Sequence, residues 1–300
     1  MNKVQQINKT GRGWGVTLAT ISSATFGLIP FFSIPVMASG VCLNSLCFYR
    51  FLFSSVFLGL FMICTGRSLK ISLKELGMMF LLAIVYGMTS MALTYSYDYM
   101  PSSVATTIHF LYPIAVAVMM IVFFKEKISW KIIIAALLAV CGVYLLCGSG
   151  ASGEIKLRGL IAVFITIFTY STFLVGVNKS FVSKMDGMKM TFYVLFCTAI
   201  LFFINILIQD GGHIDRIPDT VSWIRMLLLA LFPTLISDMT VIYAIKIIGS
   251  TTAAILGCME PLTAVTIGIV VFGEQFRTLQ IFGAFAIFVA VCIVIFNKKN

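Results

Sequence analysis

Glu260 is the residue whose placement most needs a chemical reason. It sits inside the apolar stretch Gly-Cys-Met-Glu-Pro-Leu-Thr, residues 257–263. Its depth is ~14 Å from the start of that apolar run, at the 1.5 Å rise of a helix. Arg50 is the matching cation, ~12 Å from the first residue of another apolar run, at 42–64. An ionisable group so deep in an apolar segment is costly, and inside a membrane it marks a functional site by default. At similar depths the two can pair. They then serve either as an ion pair between two parts of the molecule or as a site coupled to a proton or a substrate.

The other polar residues embedded in apolar runs form small groups. His109 is followed three residues later by Tyr112, on the same helical face. It reads as a polar cavity residue, a substrate contact or a proton relay. Asp238 shares a face with Lys246 two turns on, and Tyr86 shares a face with Ser90. Ser23 stands with Ser22 and Phe26, and Tyr170 with Thr169 and Phe173. Aromatic rings and hydroxyls suit a pocket for an amphipathic solute, although small hydroxyl residues also serve helix packing. The candidate substrate-binding set is therefore His109, Tyr112, Glu260, Tyr86, Ser90, Asp238, Ser23 and Tyr170, with Arg50 and Glu260 as a structural or coupling ion pair.

No nucleophile elbow, HExxH or phosphate-binding GxxxxGK[ST] motif is present, so no catalytic residues are assigned. Cys42, Cys47, Cys64, Cys141, Cys147, Cys197, Cys258 and Cys292 lie almost entirely in apolar runs without CxxC spacing. They read as packing residues, and neither metal nor cofactor is expected.

The elements that must hold these residues are membrane helices. The chain is 60% hydrophobic and 11% charged, with a mean hydropathy of +1.06. A soluble domain carries about 25% charged residues, so lipid must be the solvent for most of this surface. The net charge of +10 sits in short gaps between apolar runs, without the basic stripe that nucleic acid needs. Runs near 14–36, 42–64, 75–97, 102–124, 129–148, 158–178, 188–208, 223–246, 251–272 and 278–297 predict about ten transmembrane helices. They are too long and continuous for barrel strands. Pro30, Pro35, Pro113, Pro233 and Pro261 fall inside them and free carbonyls near a site. A tail at 1–13, a linker at 149–157 and a terminus at 298–300 complete the division. The first run is too long for a cleaved signal peptide and reads as a retained span.

Two stretches repeat at a fixed offset. Tyr95, Ser102, Ala105, Pro113, Ile121, Val122, Phe124 and Glu126 recur as Tyr243, Ser250, Ala253, Pro261, Ile269, Val270, Phe272 and Glu274, with 243 − 95 = 148 throughout. Fifteen Lys and Arg fall in gaps on one side of the ten-span layout and five on the other. That bias puts both termini in the cytoplasm. Each half holds five spans, an odd number, so the second enters the membrane upside down. The expected fold is all-α, two inverted five-helix repeats, an arrangement suited to exposing a midplane site to each face in turn.

Pro113 through Glu126 with the run to Leu146, and Glu260-Pro261 through Glu274 with the run to Phe296, resemble the paired signature of the drug/metabolite transporter superfamily, EamA-type branch. One departure is Ala290, where the first copy has Gly142. The resemblance implies an inner-membrane carrier, often an exporter of amino acids or other small metabolites. Its cavity would be lined by the first, third and fourth spans of each half. Expected partners are a small-molecule substrate, the lipid bilayer and a second copy as a homodimer, with no nucleic acid. Rival readings are a multidrug efflux carrier of the same fold and an integral-membrane enzyme acting on lipid.

Overall fold

The computed structural model describes residues 3–100, 102–127, 129–145, 156–263, 266 and 278–296. Glu274, Arg277, Cys147, most of the 149–157 linker and the 298–300 terminus lie outside them. The regular structure among the described residues is helical, with no strand. In order these are α1 (Lys3–Phe26), α2 (Ile29–Ala38), α3 (Leu43–Cys64), α4 (Leu73–Ser96), α5 (Ser102–His109), α6 (Tyr112–Phe124), α7 (Trp130–Val143), α8 (Leu157–Lys179) and α9 (Gly187–Gln209). There follow α10 (Thr220–Ala230), a π-helical turn (Leu231–Ile236), α11 (Ser237–Ile248), α12 (Ser250–Leu256) and α13 (Thr278–Phe296).

Among the described residues, six segments are long and apolar enough to cross a membrane: 11–38, 43–64, 73–96, 157–179, 187–209 and 220–248. Tyr112–Phe124, Trp130–Val143 and Thr278–Val294 are shorter apolar helices. The expected unbroken span at 102–124 is interrupted at Phe110–Leu111, directly before Pro113. The expected span at 251–272 is interrupted at Gly257–Cys258, before Pro261. Proline supplies no N–H and its ring clashes with the carbonyl four residues back, here His109 and Gly257, so it is tolerated where a new helix starts. Both halves are broken at equivalent places for the same reason.

The exterior is apolar, unlike that of a water-soluble protein, and polar groups are set into the apolar core. Leu73, Trp130, Ile208, Phe123 and Phe288 point outward, while Arg50, His109, Asp238, Glu260 and hydroxyls such as Ser54, Thr166, Thr191 and Thr198 are buried. Such an exterior is matched by hydrocarbon, and such an interior supplies close packing and hydrogen bonds between helices. Several helix starts lie in the gaps and are capped there. Ser72 and Glu75 form a capping box on α4, while Asp186 caps α9 through Lys189 N–H and Asp219 caps α10 through Ser222 N–H.

The pairing of elements is unchanged when the halves are exchanged. Helix α1 packs on α11, and its counterpart α8 packs on α4. Helix α3 packs on α9 and α7 on α13, each pair being mutual counterparts. Helices α3 and α9 run antiparallel. At one end Asn44 donates to Asp210 at 2.9 Å and Asn205 donates to Asn44 at 3.0 Å. At the other, Tyr193 Oη donates to the Leu69 carbonyl at 2.5 Å and Lys189 Nζ reaches the Lys70 carbonyl.

The same two ends collect the loops. One holds Lys246, whose Nζ donates to the Ser183 carbonyl at 2.6 Å, and the Lys179–Glu126 ion pair at 3.6 Å. The opposite end holds the 210–219 loop, latched where α3 starts. There Cys42 N–H donates to Asp215 Oδ2 at 2.8 Å and Tyr49 Oη donates to the Asp215 carbonyl at 3.0 Å. The Cys42 side chain and its N–H hold the Asp215 carboxyl below the usual carboxylate range.

Candidate functional site

Where α1, α6, α8, α11 and α12 converge, Glu260 and Tyr112 face one narrow cavity. Ser22, Ser23, Phe26, Tyr170, Leu174 and Val241 complete most of its wall. The space available to water-sized centres is about 10 Å³, enough for about one water molecule. The structure is thus closed around the site. Glu260 is 7% exposed, and its carboxylate takes no hydrogen bond from any described residue.

Three wall pairs are separated by the repeat offset of 148: Ser22 with Tyr170, Phe26 with Leu174, and Tyr112 with Glu260. A cavity whose wall maps onto itself under exchange of the halves lies on the axis relating them. Cross-links near this axis repeat too. Ser22 Oγ donates to the Ser237 carbonyl at 2.9 Å, and Thr89 meets Thr169 at 2.7 Å between the counterpart helices.

The lining is aromatic and acidic on one side. The Tyr112 and Tyr170 rings meet edge to face at 4.8 Å, and Phe26 stacks on Tyr170 at 6.2 Å. A carboxylate among such rings is chemically suited to an organic cation, through charge and through the negative ring faces. Glycines let the walls close. The Gly257 Cα lies against the Tyr112 hydroxyl, and Gly27, between α1 and α2, lies against the Glu260 carbonyl.

His109 does not line this cavity. It is 1% exposed, behind Tyr112 and Tyr170, with ring centroids 5.2 and 5.4 Å away. The Thr166 hydroxyl donates to the Val163 carbonyl at 2.6 Å, so its oxygen accepts from His109 Nδ1–H at 2.7 Å. His109 Nε2 is buried with no hydrogen-bond partner among the described residues.

Arg50 and Glu260 do not form the expected ion pair. No salt bridge joins them among the described residues. Arg50 Nε donates to Thr234 Oγ1 at 2.6 Å, and Nη1 donates to Ser90 at 3.4 Å. The carboxylate within its electrostatic reach is Asp238, whose Oδ1 accepts from Tyr86 Oη at 2.6 Å. The physical reason is that equal depth along the membrane normal does not fix direction around the bundle. Arg50 on α3 faces α4 and the π-helical turn; Glu260 faces α1, α6 and α8.

The embedded residues therefore divide into two loci. Tyr112, Glu260, Ser23 and Tyr170 surround the cavity, and Tyr86, Ser90, Asp238 and Arg50 form a second cluster. Tyr170 bridges them, within electrostatic reach of both Glu260 and Asp238. Phe173 continues the connection, 6.2 Å from Tyr170 and 4.7 Å from Tyr86. Thr234 and Leu174 were missed as site residues because they look like filler in apolar runs. The offset would have found both, since 234 − 148 = 86 and 174 − 148 = 26 point to Tyr86 and Phe26.

This separation has a direct test. The charge-swapped double variant Arg50→Glu with Glu260→Arg is expected to yield no more folded protein than the poorer single variant. Recovery above both singles, measured as folded yield and melting temperature, would place the two charges in contact.

A model of the EamA-like transporter family matches residues 13–148 and again 157–296. An S-adenosylmethionine uptake transporter of Rickettsia bellii is 24% identical over 301 residues, covering 100% of this chain and 98% of the relative. An uncharacterised transporter of Synechocystis is 27% identical over 67% of this chain, which spans 59% of that relative's length. For an S-adenosylmethionine uptake transporter of Rickettsia conorii the identity is 28% over 67% of this chain, which spans 65% of the relative. A protein crystal structure with 13% identity superposes with a TM-score of 0.77, covering 93% of this chain and 95% of that one. That likeness shows a common fold.

Proposed function

We propose, from the premise that this chain belongs to the EamA-like transporter family, that it is a secondary carrier moving small organic metabolites such as amino acids by alternating access. The observation that carries this reading is the closed cavity holding Glu260 and Tyr112 at equivalent positions of the two halves. A site on the axis between inverted halves is reached from either face by rocking one half against the other. The full reading has ten crossings in two inverted halves, 14–148 and 158–297. The tail at 1–13, the linker at 149–157 and the 298–300 terminus lie outside them, and both termini are cytoplasmic at the inner membrane.

Outward movement is the proposed direction. The Rickettsia relatives are named for uptake of S-adenosylmethionine, so that solute is the first to test in both directions. A sulfonium cation joined to an aromatic base matches a carboxylate set among Tyr112, Tyr170 and Phe26. Purified protein in liposomes, loaded on one side with labelled S-adenosylmethionine or with a metabolite extract, should exchange at least one solute across the bilayer. No exchange of any solute by folded protein would sink the carrier reading. A multidrug efflux carrier would instead move structurally unrelated hydrophobic cations with similar rates.

Topology follows from the same reading. Reporter fusions at residues 2 and 300 are expected to report the cytoplasm and a fusion within 210–220 the outside. Termini on opposite faces would remove the even number of crossings.

A further inference from the structure

We propose that Arg50 and Asp238 form a head-group site for a zwitterion, with the carboxylate of an α-amino acid on Arg50 and its ammonium on Asp238. The inference rests on the carrier reading and assigns the second cluster a ligand. It separates the solute's head from the part that meets Glu260.

The cluster is built for charges it does not itself neutralise. Arg50 is 2% exposed and Asp238 is 3% exposed. Each feels the other, yet they stay more than a salt-bridge distance apart, since no ion pair joins them among the described residues. Each is held by neutral hydroxyls instead. Arg50 donates to Thr234 and Ser90, and Asp238 Oδ1 accepts from Tyr86. Asp238 Oδ2 is buried with no hydrogen-bond partner among the described residues. A buried carboxylate oxygen left without a donor is an unfilled place for one.

The sequence fixes this arrangement locally. Pro233 has no N–H, so the Leu229 carbonyl lacks its i+4 donor. The Thr234 hydroxyl donates to that carbonyl at 2.8 Å. Its oxygen is thereby left to accept from Arg50 Nε, and with Nη1 donating to Ser90 the guanidinium keeps Nη2 and the second Nη1 proton for a further acceptor. The backbone there adopts a π-helical turn, a rare form that recurs at functional sites. Ser54 Oγ closes the corner by donating to the Ala230 carbonyl at 2.7 Å.

Geometry then sets the solute's shape. A planar guanidinium matches a carboxylate with two parallel hydrogen bonds, and an ammonium supplies the donor that Asp238 Oδ2 lacks. Asp238 lies one turn from Val241, which lines the Glu260 cavity, and Tyr170 lies between the two acids. A solute with an amino-acid head and a basic or aromatic tail would span both loci. The closed structure must open to admit it.

The test uses full-length protein in liposomes with labelled L-lysine and L-tryptophan. Competitors are the parent amino acids, their amides, which lack the carboxylate, and their Nα-acetyl derivatives, which lack the ammonium. Both derivatives are expected to compete at least tenfold more weakly than the parents. In Arg50→Gln the preference for acid over amide should fall to near one, while the preference for free over acetylated amine persists. Asp238→Asn should show the reverse. A merely structural role would lower total transport or yield and leave these ratios unchanged. If Arg50→Gln does not fold, Arg50→Lys and Thr234→Val give the same readout, with a reduced acid preference.

Amides competing as well as the parent amino acids in the wild-type protein would overturn the assignment. So would an acid preference that survives in Arg50→Gln. If neither amino acid moves while the metabolite extract yields a solute without this head group, the assignment falls and the carrier reading stands. If nothing in the extract moves, the carrier reading itself has failed.

Discussion

Glu260→Gln is expected to cut transport of a cationic solute by roughly 30- to 150-fold without lowering the yield of folded protein. The substitution keeps the shape and both heavy-atom positions, so packing around Phe26, Tyr112 and Tyr170 persists. What it removes is the charge. A hydrogen bond to a charged group is worth about 1.5–3 kcal/mol, and a desolvated cation over aromatic rings adds to it. A loss of about 2–3 kcal/mol corresponds to that range, at 1.4 kcal/mol per tenfold. Because the Glu260 carboxylate accepts no hydrogen bond from the described residues, glutamine breaks no existing hydrogen bond, and its two amide N–H donors cost less to bury than a full charge. The melting temperature should therefore hold or rise, as removal of an uncompensated buried charge predicts. The measurement is uptake at matched protein amounts beside a thermal unfolding curve. Wild-type uptake in Glu260→Gln would mean that the carboxylate's charge does no work in transport. A fall in uptake matched by a fall in stability would make its role structural.

The contrast between the two clusters shows which parts of the site were legible in the sequence. Tyr112 and Glu260 share a cavity wall because they sit at equivalent positions of a duplicated segment, and equivalence survives folding as symmetry. Ser23, with Ser22, and Tyr170 were legible for the same reason. His109 was legible as buried and polar. Its placement behind the rings was not, because the break at Phe110–Leu111 rotates Tyr112 relative to it. The unbroken span drawn over 102–124 failed at that point for the same cause: hydropathy records length and says nothing of a helix stopping inside an apolar run. The Arg50–Glu260 pair was inferred from depth alone, a single coordinate. Its true neighbours are set by which face of α3 meets α4 and the π-helical turn, and that depends on tertiary packing. The Pro233–Thr234 step carried a readable signal. A proline directly before a hydroxyl residue frees a carbonyl and offers a local donor for it, and Thr234 falls at the repeat position of Tyr86.

The second large effect is expected where the closed site has no room to spare. A Cβ added to Gly27 would stand 2.5 Å from the Glu260 carbonyl oxygen and 3.2 Å from Thr263 Cβ. The nearer obstacle is backbone, so no side-chain rotation relieves it. Overpacking of this kind costs about 1–3 kcal/mol. Here it also pushes the α1–α2 joint away from the segment that presents Glu260. Gly27→Ala should therefore lose most transport and melt several degrees lower. Gly257→Ala should do the same by displacing the Tyr112 hydroxyl, which lies against the Gly257 Cα. Gly77→Ala in α4 is the matched control. Its Cβ would meet nothing within 4 Å, and alanine in a helix interior is favoured over glycine by about 0.5–1 kcal/mol, so stability should hold or rise with transport intact. Gly27→Ala behaving like Gly77→Ala would mean that the α1–α2 joint and the Glu260 backbone are not in contact in the working protein. Closure around the carboxylate would then need another hinge. Loss of transport in Gly27→Ala with normal melting would instead show that the contact forms only during the transport cycle, when one half closes on the other.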